Sequence, residues 1–116
     1  METKERQINA LRTFFANNEN VTETNYADNS LINISFQSLC YKNRHVWIGY
    51  YRGRYFIDLE DWNDETRFDN TVASFDSKDM NIVCEILAQW FNGTLLDNIS
   101  FQECNVSYFM GSFNRK

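Results

Sequence analysis

The sequence predicts an α+β fold: a single domain with an antiparallel sheet of about four to six strands, an N-terminal helix, and one buried amphipathic helix at about 77–91 packed on the sheet. Three observations lead there. The chain has 116 residues, 43% hydrophobic and 16% aromatic, and no proline. That length suits one domain burying roughly two thirds of its unfolded surface, and the composition opposes a disordered adaptor or a Pro-rich tail. Two stretches carry apolar residues at helical spacing, one near the start and one in the last third. Between them the apolar residues alternate, and two β-rich runs flank Arg52-Gly53 as in a tight hairpin.

Taken in order, residues 4–16 place Ile8, Leu11 and Phe15 on one stripe and Lys4, Arg6 and Arg12 elsewhere, so an amphipathic helix is expected, ended by Asn17-Asn18-Glu19-Asn20. Residues 17–30 are polar and read as a connecting loop that dips inward at Val21 or Tyr26. Residues 30–40 alternate, with Ile32, Ile34, Phe36 and Cys40 on one side and Asn33, Ser35 and Gln37 on the other, which predicts a half-buried strand. In 44–60 the register decides which side chains meet. With Arg52-Gly53 as the two central turn residues, Tyr51 faces Arg54, and Tyr50–Tyr55, Ile48–Ile57 and Val46–Leu59 make a wholly apolar face. The other face pairs Trp47 with Asp58, His45 with Glu60, and Gly49 with Phe56. A one-residue slip would set Val46 against Asp58, so the cleaner separation favours the two-residue turn.

Residues 58–69 read as a dense acidic loop, followed by a short strand at 71–75. Asp76 or Ser77 is then placed to cap a helix bearing Met80, Val83, Cys84, Ile86, Leu87, Trp90 and Phe91, closed by Asn92-Gly93 in a left-handed cap. So wide a stripe predicts that this helix lies across the sheet and touches a second element. Residues 98–103 and 105–113 alternate weakly, with Ile99 and Phe101, then Val106, Tyr108 and Met110; they predict two strands or one long bent one.

Charge and motif content narrow the function. Eleven Lys+Arg against sixteen Asp+Glu, a net charge of -5, oppose binding to phosphate backbones, whose affinity needs a basic surface. The polar N-terminus has no apolar run behind it and no long apolar stretch follows, so a cytoplasmic protein without membrane contact is expected. Cys40, Cys84 and Cys104 are odd in number and widely spaced, which predicts buried free thiols, not a disulfide framework. His45 is the one histidine, and the four glycines make no phosphate-cradling motif. Asp61-x-Asn63-x-Glu65 opens like a calcium loop, but Thr66 and Val72 stand where Gly and Glu are required. No cofactor, metal or catalytic residue is therefore assigned, and a non-enzyme is expected. The remaining catalytic option is an acid/base pair of His45 and Glu60 beside Arg44, Arg52 and Arg54, which would need a pocket.

The charges are segregated along the chain. Residues 29–57 hold Lys42, Arg44, Arg52 and Arg54 and no acid, whereas 58–79 hold eight of the sixteen acids against Arg67 and Lys78. A partner surface is expected here: Asp58, Glu60, Asp61, Asp64, Glu65 and Asp69 offer carboxylates to Lys or Arg on a basic protein, and Trp62 and Phe68 offer aromatic anchors. The competing reading is a solvated loop whose Trp62 tucks into the core.

The Tyr-Phe-Ile-Asp-Leu-Glu-Asp-Trp run at 55–62, the amphipathic helix ending Gln89-Trp90-Phe91-Asn92-Gly93, and the small, acidic, Asn-rich and aromatic-rich α+β pattern extend over most of the chain. In these features it resembles the immunity proteins that protect bacteria from their own contact-dependent or polymorphic toxins. The resemblance implies a non-enzyme that binds one cognate toxin domain, often a nuclease, and blocks its active site or substrate groove. Two alternatives stand beside it: another inhibitor or adaptor of a host protein, such as a phage-encoded antagonist, or a small enzyme or ligand-binding domain using the sheet face around His45. An exposed hairpin edge would also offer a homodimer contact.

Overall fold

The hairpin around Arg52-Gly53 forms in the register that the alternation predicts. A computed structural model describes residues 2–24, 33–94 and 101–110. Within them lie α1 (Glu2–Phe15), β1 (Val21–Thr24), β2 (Ile34–Ser38), β3 (Arg44–Tyr51), β4 (Arg54–Asn63), β5 (Phe68–Ser77), α2 (Met80–Phe91) and β6 (Asn105–Phe109). Every β3–β4 pair expected is present, from Tyr51 opposite Arg54 to His45 opposite Glu60. Arg52 and Gly53 both take positive φ, 53° and 80°, the backbone of a type I′ turn, whose twist matches that of the strands it joins.

The six strands form one antiparallel sheet in chain order, so each pairs with its sequence neighbours. Both helices cover one face. That face carries Ile34 and Phe36 from β2, Val46 and Ile48 from β3, Tyr55, Ile57 and Leu59 from β4, and Ala73 and Phe75 from β5, all buried. Ile8, Leu11 and Phe15 of α1 join the same core as Val83, Ile86, Leu87, Trp90 and Phe91 of α2. The Phe15 ring links the three layers of contact, at 5.0 Å from Phe36 and 5.6 Å from Phe91. The wide apolar stripe of α2 therefore meets sheet and α1 together, as its width predicts.

The C-terminal end of α2 is held by side chains from β2 and β3. Gly93 has φ 76°, its N–H bonds to Trp90 O, and Thr94 N–H bonds to Gln89 O, which together make a Schellman cap. A Cβ on Gly93 would fall on the Tyr41 ring, so glycine is needed there for space as well as for φ. Ser38 Oγ donates to Phe91 O at 2.8 Å, and Arg44 Nη1 donates to Trp90 O at 3.1 Å. The Arg44 guanidinium also lies 4.4 Å from the Trp90 ring centroid and 4.8 Å from that of Tyr41. A buried cation at a helix C-terminus, with aromatic faces beside it, is compensated by the helix dipole and by the ring quadrupoles.

Several expectations are corrected. The part of 17–30 that is described contains strand β1, not only a loop; its outward residues are polar because it is an edge strand with Val21 alone buried. Tyr26, Ile32, Ile99, residues 30, 98 and 100, and 111–113 lie outside the described residues. Cys40 follows β2 and is exposed, Cys104 is half-buried, and only Cys84 is fully buried. The N-cap of α2 is Asp79, which accepts from Asn81 N and Ile82 N, while Ser77 Oγ, two residues earlier, accepts from Asp79 N. Residues 101–103 form a turn that seats Phe101 against Phe75 and Phe109, and only 105–109 is strand. Among the described residues the β3–β4 hairpin is interior and the sheet edges are β1 and β6, so the expected sheet-edge homodimer contact would fall to those strands.

The largest correction concerns 58–69. This segment is not a loop. It is the second half of β4, a four-residue turn and the start of β5, which runs over ten residues instead of five. Arg67 closes the turn with φ 63° and donates its N–H to Asn63 O, and Asn63 Oδ1 accepts from Glu65 N and Thr66 N. Asp and Asn are poor strand formers taken alone, and here the β4–β5 pairing, with β3 alongside as far as Asp61, overrides the propensity.

Candidate functional site

Among the described residues, the face of the sheet away from α1 and α2, called here the helix-free face, is largely polar. By register it presents Ser35 and Gln37 of β2, His45 and Trp47 of β3, Asp58 and Glu60 of β4, and Thr71 and Ser74 of β5. A bulge between Leu59 and Glu60 leaves Val72 without a partner on β4, so that Glu60 faces Thr71 and Trp62 faces Asp69. This irregularity sets Thr71 and Asp69 of β5 beside Glu60 and Trp62 of β4, while His45 meets Glu60 through the regular β3–β4 register.

Glu60 is 2% exposed and lies between His45 and Thr71 in the ladder. The Thr71 hydroxyl donates to its carboxylate, at 3.0 and 3.1 Å to the two oxygens. Burial pushes its carboxyl up to about 7, opposed by the Thr71 hydrogen bond and reinforced by Asp58 and Asp69. His45 Nδ1 lies 3.3 Å from Asn43 O and Nε2 lies 3.3 Å from Asp69 Oδ1. Asp69 Oδ1 is buried and accepts no aligned hydrogen bond, with His45 Nε2 its neighbour at 3.3 Å. Trp47 Nε1–H is likewise buried and has no acceptor among the described residues.

Two hollows open beside these groups. One of about 410 Å³ is lined by Gln37, Asn43, His45, Trp47, Trp62 and Asp69, with Lys42 at its rim. The other, of about 530 Å³, is lined by Tyr41, Arg44, Asp61, Asn63, Asp64 and Glu65 among others. Lys42, Asn43 and Trp62 belong to both, so Trp62 stands between them.

The expected partner residues thus divide. Asp64 and Glu65 are exposed at the β4–β5 turn, and Phe68 is 70% exposed beside them. Trp62 and Asp61 are half-buried, Trp62 with the Arg67 guanidinium 5.9 Å from its ring centroid and Asp61 opposite Arg44. Asp58 accepts from Ser74 Oγ at 2.6 Å on the polar face. Glu60 and Asp69 point to that face also, away from the exposed tip. Of the basic run, Arg44 is spent on α2 and Arg54 pairs with Asp76 at 2.7 Å.

Sequence reasoning placed His45 and Glu60 together but assigned nothing to Gln37, Lys42, Asn43 or Trp47. Trp47 and Gln37 were legible as residues of the polar face; their gathering around Trp62 and Asp69 depends on the bulge, which leaves no mark in the composition. Two of the three thiols are poor nucleophiles: burial pushes Cys84 up to about 11, and Cys104 is raised, chiefly by burial. Among the described residues no His, Cys, Asp and Glu cluster could hold a metal ion, and no helix is long and apolar enough to cross a membrane.

Comparisons with protein-family models, with curated proteins and with solved structures found no match to this chain.

Proposed function

We propose that this chain is a cytoplasmic protein-binding inhibitor, of the kind that neutralises a cognate toxin domain, and that it docks through the tip of the β4–β5 hairpin. The observation that carries this reading is the tip itself. Asp64 and Glu65 are exposed on a four-residue turn with Phe68 beside them, projecting carboxylates next to a large aromatic anchor. An aromatic ring surrounded by charge is the composition of an interface hot spot, and opposite charge on the partner would speed encounter.

The turn is stiff for its size, because Asn63 Oδ1 and Asn63 O together fix three of its N–H groups. A preformed tip loses little conformational freedom on binding. The partner that fits is a protein with a basic groove. A nuclease cleft is one such groove, since it is built to hold phosphates and carboxylates can occupy the same positions. The same carboxylates oppose direct contact with nucleic acid. The protein has no catalytic part in this reading.

The test is co-expression with the product of the neighbouring gene. Co-purification as a stable complex, with protection of cells from that product, supports the toxin-neutralising reading. Failure to bind or protect, with the protein folded, overturns it. Binding without any toxicity of the partner supports instead an inhibitor or adaptor of a host protein.

A further inference from the structure

We propose that the hollow lined by Trp47 and Trp62 on the helix-free sheet face receives an arginine side chain of the docking partner. The inference deepens the docking reading and rests on its basic partner, because the hollow adjoins the tip. Lys42, Asn43 and Trp62 line both it and the neighbouring hollow that holds Asp64 and Glu65. Its volume of about 410 Å³ falls within the range of small-ligand sites and takes a whole side chain. Two indoles line it, and the indole face is the strongest aromatic acceptor of a cation. The chain uses the same contact internally: the Arg67 guanidinium lies 5.9 Å from the Trp62 ring centroid, and that of Arg44 lies 4.4 Å from the Trp90 centroid.

Charge selects a cation. The Asp69 side chain lines the hollow and is 25% exposed; its Oδ1 is closed to solvent beside His45 Nε2, so Oδ2 is the oxygen left to meet an occupant. In the adjoining hollow Asp61 lies opposite the buried Arg44, and setting that pair aside leaves Asp64 and Glu65. Asp64, Glu65 and Asp69 then stand against Lys42 alone, which is exposed at the rim and competes with an incoming cation. Among cations the guanidinium fits better than an ammonium. It is flat enough to stack on an indole, offers a fork of N–H groups to a carboxylate, and is less strongly hydrated. Tryptophan and arginine are also the residues in which interface hot spots are enriched. The occupant is a side chain and not an added strand, because among the described residues β3 and β4 are interior to the sheet.

The three tryptophans make the test self-controlled. Indole ¹H–¹⁵N resonances of the whole protein are recorded at low salt while a capped Gly-Arg-Gly peptide is titrated to roughly 50 mM, beside the same peptide with lysine or citrulline in place of arginine. The arginine peptide is expected to shift the Trp47 and Trp62 signals saturably and leave that of Trp90, whose Nε1–H is bonded to His45 O within the core. Citrulline keeps the shape and lacks the charge, so it should bind about tenfold more weakly, with lysine between the two. Asp69→Asn should weaken the arginine response about tenfold. Lys42→Gln alters an exposed residue and removes the competing charge, so it should tighten that response about two- to threefold. No saturable shift, a parallel drift of all three indoles, or equal binding of the citrulline peptide would overturn the proposal. So would lysine binding as tightly as arginine, an unaltered response in Asp69→Asn, or a Lys42→Gln protein that fails to bind more tightly. The peptides act on the protein alone, so failure here leaves the co-expression test of the tip standing, and failure of that test leaves this one readable.

Discussion

At the scale of single residues, Glu60 and Gly93 show how position decides chemistry. Glu60 is buried with one hydroxyl donor and two carboxylates near it, so its ionised form is disfavoured and its carboxyl sits at about 7 instead of 4.5. A carboxyl raised on folding holds its proton in the native state while the unfolded chain has released it. Its contribution is therefore fully present below about pH 4.5, declines through the window up to about 7, and is lost above it. Each unit of displacement is worth about 1.4 kcal/mol. Glu60→Gln keeps an acceptor for Thr71 and removes the charge. It should raise the unfolding free energy by on the order of 2 kcal/mol near pH 8 and change it little near pH 4.5 in denaturant titrations. Equal effects at both pH values would mean that Glu60 ionises freely in the fold. For Gly93→Ala, a left-handed residue with a Cβ costs about 1–2 kcal/mol, and displacement of Tyr41 from the Arg44 stack adds to it. A loss of stability below about 0.5 kcal/mol would show that the Tyr41 ring moves aside freely.

At the scale of elements, the two hairpins differ in how much of them the sequence reveals. In β3–β4 a two-residue turn allows one register that keeps Val46, Ile48, Tyr50, Tyr55, Ile57 and Leu59 together, so alternation alone finds every pair. In β4–β5 the strand ends carry Glu60, Asp61, Asn63, Asp69 and Asn70, residues that read as loop, and the bulge at Leu59/Glu60 breaks the period just where it is needed. β1 is equally hidden, because a four-residue edge strand with one buried side chain has no period to detect. The site suffers from the same gap: His45 with Glu60 was readable, and their company with Trp62 and Asp69 was not. The tip lends itself to a clean test. Phe68 is 70% exposed, so Phe68→Ala should leave the melting temperature almost unchanged and weaken partner binding by at least about tenfold, the cost of a truncated anchor. Unchanged affinity in calorimetry would remove Phe68 from the interface. Arg44 stands at the opposite extreme. Arg44→Ala strips a buried donor from the α2 carboxyl end and should destabilise the fold by about 3 kcal/mol or more, read in urea unfolding.

At the scale of the whole molecule, the net charge of -5 resolves into two unlike parts. The basic run is largely consumed inside the fold, with Arg44 on the end of α2 and Arg54 on Asp76, while Lys42 stands at the rim of the hollows. The acidic run is split by the pleat. Glu60 and Asp69 turn to the helix-free face, and Asp64 and Glu65 remain at the exposed end of the sheet. Asp61 is a poor site for charge reversal because it lies opposite the buried Arg44, whereas Asp64 and Glu65 can be reversed without touching the core. The decisive measurement is the dissociation constant of the complex with the neighbouring gene product across a salt series, for the parent protein and for Asp64→Lys with Glu65→Lys. Docking through the tip requires that affinity fall as salt rises and that the double reversal weaken binding about 10–100-fold and flatten the salt dependence. Equal affinity and equal salt dependence in the two proteins would contradict it.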